Sequence, residues 1–163
     1  MAQGRGRVEP VHVGAGEGDA VWLNGDVYAV KLDHAGSGGA LTVLEADVPP
    51  GGGPPPHTHL HEDEAFYVLA GELEIDAGGR TYTAGAGDFV FVPRGIPHSF
   101  RNTTTRVARQ LLLFTPGGFE GFFRALGEPA VPGAPPPPAA PVPLDRLLEV
   151  GASFGSFPRS DER

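Results

Sequence analysis

The sequence contains no cysteine, and this absence excludes two kinds of chemistry. Without thiols the chain can form no disulfide framework, and it can offer no thiolate ligand to a metal. Basic residues are also scarce, with 12 lysines and arginines against 20 acidic residues and a net charge of −8. Because nucleic acid binding needs a basic surface to meet the phosphates, the composition argues against a nucleic acid partner.

Long hydrophobic runs are missing as well. No stretch approaches the roughly 20 apolar residues that span a membrane, and the N-terminus lacks the apolar core of a signal peptide. We therefore expect no membrane partner and a cytoplasmic location. The chain has 163 residues, 40% of them hydrophobic, which is enough to bury the core of one domain.

Glycine and proline are abundant, with 25 and 18 residues, and they separate a series of short apolar segments. Residues 20–32 contain an Asn-Gly step between two apolar runs, which predicts a β-hairpin. Further strands are predicted at 41–48, 64–70, 72–76, 80–84, 89–92, 97–101 and 106–114. Many short strands with no helical periodicity between them predict an all-β sandwich or barrel.

One segment after the predicted strands has a helical pattern. Phe119, Phe122, Phe123 and Leu126 fall at positions i, i+3, i+4 and i+7. This spacing places them on one face of a short helix over 119–126. We expect the helix to be part of the core or a lid over the barrel mouth.

The C-terminal tail is rich in proline. Eight of the fifteen residues from 129 to 143 are proline, which is typical of an extended polyproline segment that stays outside the sheet. A short helix over 144–150 is predicted to pack back on the barrel. We divide the chain into an N-terminal arm (1–19), a barrel with its appended helix (20–128), and a Pro-rich linker with a short terminal segment (129–163). The barrel core is expected to survive removal of the last part.

Two segments contain regularly spaced histidine, carboxylate and turn residues. The first contains Gly51, His57, His59, Glu64 and Gly71, and the second contains Gly87, Pro93, Gly95, His98 and Asn102. His57 and His59 lie two residues apart, so both imidazoles would leave one face of a strand. Together with Glu64 and His98 they would supply three nitrogens and one oxygen. This donor set suits one divalent transition-metal ion, namely Mn, Fe, Co, Ni, Cu or Zn.

Strand parity constrains how these ligands can meet. The step from His59 to Glu64 is odd, so an uninterrupted strand would direct the two side chains to opposite faces. Both can reach one metal only if residues 60–63 form a turn or a bulge.

The same parity predicts a substrate pocket. Phe66 and Val68 should share the face of Glu64, and Phe100 should share the face of His98. These three apolar side chains are predicted to line a pocket above the metal, suited to a flat or hydrophobic ligand.

Other residues near the motifs have competing interpretations. His61 continues the even spacing of the histidines and could replace a ligand, although we favour a solvated turn histidine. Glu62 and Asp63 could be taken for the carboxylate ligand, but the spacing to the next motif glycine selects Glu64. Two isolated histidines are expected at the surface: His12 and His34.

The two segments resemble the two cupin motifs. Within the cupins, the chain is most similar to the small single-domain proteins related to bacterial quercetin 2,3-dioxygenase. The resemblance covers residues 22–26, 48–57, 62–69, 91–102 and 116–129. Residues 151–163 depart from that pattern. The resemblance implies a single jelly-roll β-barrel, a metal ion at the four ligands and a homodimer. It also implies cleavage of a flavonol or a similar enolisable aromatic compound with O2, in which Glu64 would act as the catalytic base.

A second class of function stays open at this level. A redox-neutral isomerase or polyketide cyclase, or a small-molecule-binding cupin without turnover, would need the same ligands and the same apolar pocket. One fold hosts all of these functions, so the motifs alone do not separate them.

Overall fold

The computed structural model describes residues 8–159, which form two antiparallel β-sheets and two short helices. The strands are β1 Ala20–Leu23, β2 Asp26–Leu32, β3 Thr42–Val48, β4 His57–His59, β5 Asp63–Ala70, β6 Glu72–Ala77, β7 Arg80–Gly85, β8 Phe89–Val92, β9 His98–Arg101, β10 Ala108–Thr115, β11 Glu128–Pro129 and β12 Ser156–Pro158. The helices are α1 Glu120–Leu126 and α2 Leu144–Phe154. Neither helix is long and apolar enough to cross a membrane. Residues 1–7 of the predicted arm and residues 160–163 lie outside the described residues.

The two sheets have the strand orders β11-β1-β2-β3-β10-β5-β8 and β12-β4-β9-β6-β7. The chain changes sheet repeatedly, from β3 to β4, from β4 to β5, and at each step from β7 to β10. This crossing of consecutive strands between two antiparallel sheets is a jelly roll. The all-β jelly-roll prediction is therefore confirmed, and each predicted strand is present within two residues of its expected bounds.

The core lies between the two sheets. Strand β3 alternates strictly between buried and half-buried residues, as a strand with one face inward should. The Phe66 ring from the seven-stranded sheet lies 5.9 Å from the Phe100 ring of the other sheet, centroid to centroid. Both side chains are almost fully buried, so the inward faces of the two sheets pack directly on each other.

The first hairpin has the turn that its sequence predicts. Asn24 and Gly25 both have positive φ, 51° and 88°, as a two-residue type I′ turn requires. The turn ends at Asp26, the first residue of β2, which is directed inward and is buried.

The start of the tail joins the sheet, contrary to the sequence prediction. Strand β11 pairs with β1, with Pro129 opposite Val21. A proline is compatible with this position because β11 is the edge strand of its sheet and needs no further partner. Residues 134–143 form neither helix nor strand, as predicted for a Pro-rich segment.

The end of the tail completes the other sheet. Helix α2 extends four residues beyond the predicted end and stops at Gly155, which adopts the left-handed conformation with φ 67°. Strand β12 then pairs antiparallel with β4. Both ends of the tail therefore pair with strands of the barrel, one in each sheet. Sequence analysis missed β12 because three residues ending in proline carry no readable alternation.

Candidate metal centre

Three strands from both sheets bring the four predicted ligands together. His57 and His59 lie on β4, and His98 begins β9, where it pairs directly with His57. Glu64 lies on β5 in the facing sheet. The chain bends at residues 60 and 61, so the predicted break in the strand is confirmed. This break carries the chain from one sheet to the other, which is why an odd step still directs both side chains inward.

The four side chains form a compact cluster of possible metal ligands. Their ligand atoms all lie within 4.8 Å of one another. Metal ions bind imidazole nitrogen and carboxylate oxygen at about 2.0–2.2 Å, so donors on opposite sides of an ion are about 4 Å apart. The cluster therefore has the size and the donor set of a site for one divalent transition metal.

Backbone carbonyls orient two of the three imidazoles. His57 Nδ1 donates to the Pro55 carbonyl at 2.9 Å, and His98 Nδ1 donates to the Ile96 carbonyl at 2.8 Å. A carbonyl only accepts hydrogen bonds, so Nδ1 carries the proton in both rings. Nε2 of each ring is thus the nitrogen directed at the cluster, where His98 Nε2 meets Glu64, and this is the usual arrangement for histidine ligands of metals.

Glu64 is the negative centre of the cluster. Its Oε2 atom lies 2.7 Å from His98 Nε2 and 3.1 Å from His59 Nε2. Burial alone would raise the pKa of Glu64, but the two histidines outweigh it and lower that pKa to about 2. Burial, together with the neighbouring imidazoles, lowers the pKa of His57 to about 3. Glu64 is thus a carboxylate and His57 a neutral imidazole, which are the forms that bind a cation. At His98, burial is outweighed by the hydrogen bond to Glu64 and the charge of Glu64, which raise the pKa of that ring.

His59 is held by aromatic packing and not by a hydrogen bond. It is 2% exposed, and within residues 8–159 neither ring nitrogen has a hydrogen-bond partner, since Nε2 is out of line with Glu64. The rings of Phe119 and Phe114 pack edge-on against it, with centroids at 4.3 and 5.7 Å. A buried unpaired nitrogen is costly. A metal ion in the cluster would satisfy Nε2, which is a second observation that fits the site to a metal.

A cavity of about 170 Å³ lies against the cluster. His57, His59 and Glu64 all contribute to its wall. Most of the remaining wall is apolar, including Leu112 and five phenylalanines: Phe100, Phe114, Phe119, Phe122 and Phe123. The tail closes another side of the cavity with Pro141, Val142, Leu147, Ser156 and Pro158.

Only one of the three predicted pocket residues lines this cavity. Phe100 does so, whereas Phe66 and Val68 do not. Both are fully buried on the inward face of β5, as parity predicts, but they belong to the barrel core. This cavity thus does not include two of the three residues predicted for the pocket, because it extends from the cluster toward α1 and the tail.

The neighbours of Glu64 have other roles. His61 is exposed and lies against Gly155, where an added side chain would overlap its ring. Asp63 is paired with Arg94, with 3.0 Å between Oδ1 and Nε. Glu62 is buried, and burial raises its pKa, but it does not belong to the four-residue cluster.

Sequence analysis missed two polar residues of the cavity wall, Asp26 and Tyr28. Both lie on β2, and both are buried. Asp26 directly follows the Asn-Gly turn, where an aspartate is ordinary, so its position gave no sign of a site. Only the inward direction of β2 places it beside the cavity.

A known family model matches the middle of the chain. Residues 44–114 match the family model of the cupin domain. This segment contains all four residues of the cluster, and it excludes α1, the Pro-rich segment, α2 and β12.

The chain is also similar to an enzyme of known name. It is 29% identical to quercetin 2,3-dioxygenase of Bacillus subtilis over 120 residues, which are 74% of this chain and 35% of that enzyme. The chain thus spans little more than a third of the length of this curated relative.

Two solved structures agree with the fold. The "predicted oxalate decarboxylase" from Thermotoga maritima is 25% identical, with a TM-score of 0.59 over 65% of this chain and 99% of that chain. KdgF from Halomonas is 17% identical, with a TM-score of 0.60 over 69% of this chain and 98% of that chain. The second likeness is one of fold alone.

Proposed function

Because the chain belongs to the cupin superfamily, we propose that it is a metal-dependent dioxygenase that cleaves a flavonol or a similar enolisable aromatic compound with O2. The observation that carries the proposal is the position of the His-Glu cluster on the wall of a mostly apolar cavity to which five phenylalanines contribute. A flat aromatic ligand would pack on those rings while one hydroxyl reached the cluster. The similarity to quercetin 2,3-dioxygenase supports the choice of reaction.

In this proposal the cluster of His57, His59, Glu64 and His98 holds one divalent transition-metal ion. A bound cation lowers the pKa of an enol or phenol hydroxyl that reaches it and so favours the enolate. The protein side chains present three imidazole nitrogens and one carboxylate oxygen in a fixed geometry. The packed phenylalanines exclude water from the bound ring system.

Glu64 is proposed to accept the proton of the substrate hydroxyl. It is the one carboxylate in the cluster, and a carboxylate within hydrogen-bond reach of a hydroxyl can act as a general base. The ring cleavage that follows consumes one O2 per substrate. In the flavonol case one ring carbon leaves as carbon monoxide.

We also propose that the protein is a homodimer, formed through the outer face of the seven-stranded sheet. Register aligns Phe91, Ala65, Leu113 and Val43 in one row across four strands of that face. A parallel row contains Phe89, which is 60% exposed, and Tyr67, which is 40% exposed. The apolar ends of both rows, at the edge strand β8, form a surface that a second copy could cover, although the second row continues through Leu111 to the charged Glu45.

Oxygen consumption tests the proposed reaction. Protein loaded with Mn, Fe, Co, Ni, Cu or Zn should take up O2 with quercetin under air and leave quercetin intact under nitrogen. Conversion that continues under nitrogen would support the isomerase or cyclase alternative. Binding without conversion in every metal form would support a binding protein and contradict the dioxygenase.

Two substitutions separate the proposed base from the metal site. Glu64→Gln should retain part of the metal and lose most turnover, on the order of 10²-fold or more, because the amide cannot take the proton. His98→Ala should lose metal and turnover together. Wild-type turnover in Glu64→Gln would show that Glu64 does not accept the proton.

A further inference from the structure

A second polar patch lines the same cavity, and it consists of Asp26 and Tyr28. Asp26 begins β2, and Tyr28 follows two residues later on the same inward face. Their exposures are 2% and 4%, so neither is a surface residue. The fold has thus placed a carboxyl and a phenol in a wall that is otherwise mostly apolar.

The Asp26 carboxyl is only half satisfied within residues 8–159. The Tyr28 hydroxyl donates to Oδ2 at 2.9 Å, whereas Oδ1 has no hydrogen-bond partner. Burial raises the pKa of Asp26 to about 7, although Tyr28 and the nearby Gly53 amide act in the opposite direction. Buried carboxyls with a structural role normally have their oxygens paired. Oδ1 thus has the Gly52–Gly53 backbone beside it but no hydrogen bond of normal geometry within the described residues, so it keeps acceptor capacity for a further donor.

The loop before β4 is shaped around this carboxyl. A side chain at Gly52 would overlap Asp26 Oδ1, and a side chain at Gly53 would overlap the Phe100 carbonyl oxygen. The loop backbone can approach so closely only because both positions are glycine. Asp26 is thus enclosed by packed backbone on one side and bounded by the cavity on another.

The patch and the metal cluster lie at different levels of the barrel. Tyr28 pairs with Ala46 on β3. Glu64 pairs with Phe114, which in turn pairs with Thr42 on β3. Four residues of β3 separate these levels, which is about 13 Å along a strand. Burial and the charge of Asp26 are the main causes that raise the pKa of Tyr28, and the charge of Glu64 is a smaller one. The two polar groups therefore interact electrostatically. The cavity therefore has two polar regions with phenylalanine side chains in its wall.

We propose that Asp26 accepts a hydrogen bond from a substrate hydroxyl at the end of the substrate away from the His-Glu cluster, while Tyr28 holds the carboxyl in position. The substrate class is then an aromatic compound with hydroxyl groups at both ends. The inference rests on the proposed function in placing the reactive hydroxyl at the cluster. A ligand without the second hydroxyl would leave Oδ1 unpaired, and sites with an unpaired polar group discriminate strongly against such ligands.

Binding of two matched fluorinated probes tests this recognition directly. 4-Fluorophenol and 4-fluorotoluene differ only in the hydroxyl, and fluorine NMR reports their dissociation constants with the full metal-loaded chain. Wild type should bind the phenol about 10-fold more tightly than the toluene. Asp26→Leu should reduce that preference to less than about 3-fold. Equal affinities in wild type, or an unchanged preference in Asp26→Leu, would overturn the proposal.

Two further variants guard against a folding artefact. Asp26→Asn keeps the shape of the side chain but offers a neutral acceptor, so the preference for the phenol should fall between those of wild type and Asp26→Leu. Asp19→Leu makes the same chemical change at an exposed position and should keep the wild-type preference. A wild-type preference in Asp26→Asn would contradict a role for the carboxylate, and a lost preference in Asp19→Leu would show that the readout is not specific.

A turnover measurement distinguishes failure of this inference from failure of the proposed function. Wild type should use quercetin with a higher kcat/KM than 3-hydroxyflavone, which keeps the reactive hydroxyl but lacks the others. Asp26→Leu should lose most of that difference while it still turns over 3-hydroxyflavone. If no flavonol consumes O2 but the fluorophenol preference depends on Asp26, the dioxygenase proposal fails and the Asp26 site stands. Flavonol turnover that does not depend on Asp26 removes the inference and leaves the proposed function.

Discussion

Backbone carbonyls decide which nitrogen of His57 and His98 is free. Because Pro55 and Ile96 each accept a hydrogen bond from Nδ1, both rings present Nε2 to the cluster. The orientation is set before a metal binds, which lowers the entropy lost on binding. His59 lacks such a carbonyl and depends on the rings of Phe114 and Phe119. It is therefore the ligand whose position depends most on side-chain packing.

Metal content should distinguish a ligand from a neighbouring histidine. His57→Ala removes one of the four donors, and we expect it to lose at least about 90% of the bound metal after dialysis, because the site would keep only three ligands. His61→Ala removes an exposed ring two residues beyond His59 and should keep metal near the wild-type level. Elemental analysis of both variants measures this. A large loss in His61→Ala would mean that the ligand set is wrong.

Asp26 should make stability depend on pH in a defined direction. Its pKa is about 7 in the fold against 3.8 as the reference value, so the folded state binds more protons between about pH 4 and pH 7. The free energy of unfolding therefore falls as pH rises through that window, and the full penalty of about 4 kcal/mol is present above it.

Asp26→Asn removes this titration. Urea unfolding of the variant and of wild type at pH 5 and pH 8 should show a larger gain for the variant at pH 8, by up to about 3 kcal/mol. Comparing each pair at one pH cancels the histidine titrations that both proteins share. The same gain at both pH values would contradict the raised pKa of Asp26.

At the level of elements, α1 and the tail form part of the wall of the cavity beside the metal cluster. The predicted apolar face of α1, with Phe119, Phe122, Phe123 and Leu126, lines that cavity in full. The interpretation of the helix as a lid is thus supported by its position. Phe119 also packs against His59, so the lid is in direct contact with the metal cluster.

Strand β12 should matter for the metal site because it pairs with the strand that carries two ligands. Truncation after Gly155 removes β12 and with it the pairing of Ser156 with His59 and of Pro158 with His57. Strand β4 is then a three-residue edge strand. We expect metal affinity to fall about 10-fold and the melting temperature to fall by several degrees.

A second truncation provides the control for β12. Ending the chain after Arg159 keeps β12 and should leave both quantities at the wild-type level. Competition with a chelator gives the affinity, and thermal unfolding gives the melting temperature. A truncation after Gly155 that behaves like wild type would restore the view of the tail as a separable segment.

At the scale of the whole molecule, the outer apolar face predicts association. Phe91→Glu places a charge at the edge-strand end of the proposed dimer surface, where Phe91 is 53% exposed. Light scattering should give a dimer for wild type and a monomer for this variant. Tyr82→Glu makes the same change on β7 of the other sheet, where Tyr82 is 41% exposed, and should remain dimeric. A monomeric wild type would remove the dimer proposal.

The sequence by itself determined the local features of this protein. Turn residues such as Asn24-Gly25 have strong backbone preferences, and alternation records which side of a strand faces inward, so the strands and an all-β sandwich or barrel could be predicted. The jelly roll itself was implied by the resemblance to the cupin motifs. The spacing of the four proposed ligands likewise predicted the cluster, because each motif fixes the positions of its residues relative to a turn. Parity even required the break between His59 and Glu64.

Only the tertiary structure decided which inward side chains meet. Val68 and Phe100 both point inward, yet only Phe100 reaches the cavity, because that depends on where α1 and the tail close the barrel. The pairing of β12 with β4 joins residues almost 100 positions apart, and so few residues carry no local signal of their partner. The position of Asp26 in the cavity wall could not be predicted for the same reason. An aspartate after a turn is common, and only tertiary packing buries this one beside the cavity. Burial and long-range contact are properties of the assembled fold, and no short stretch of sequence contains them.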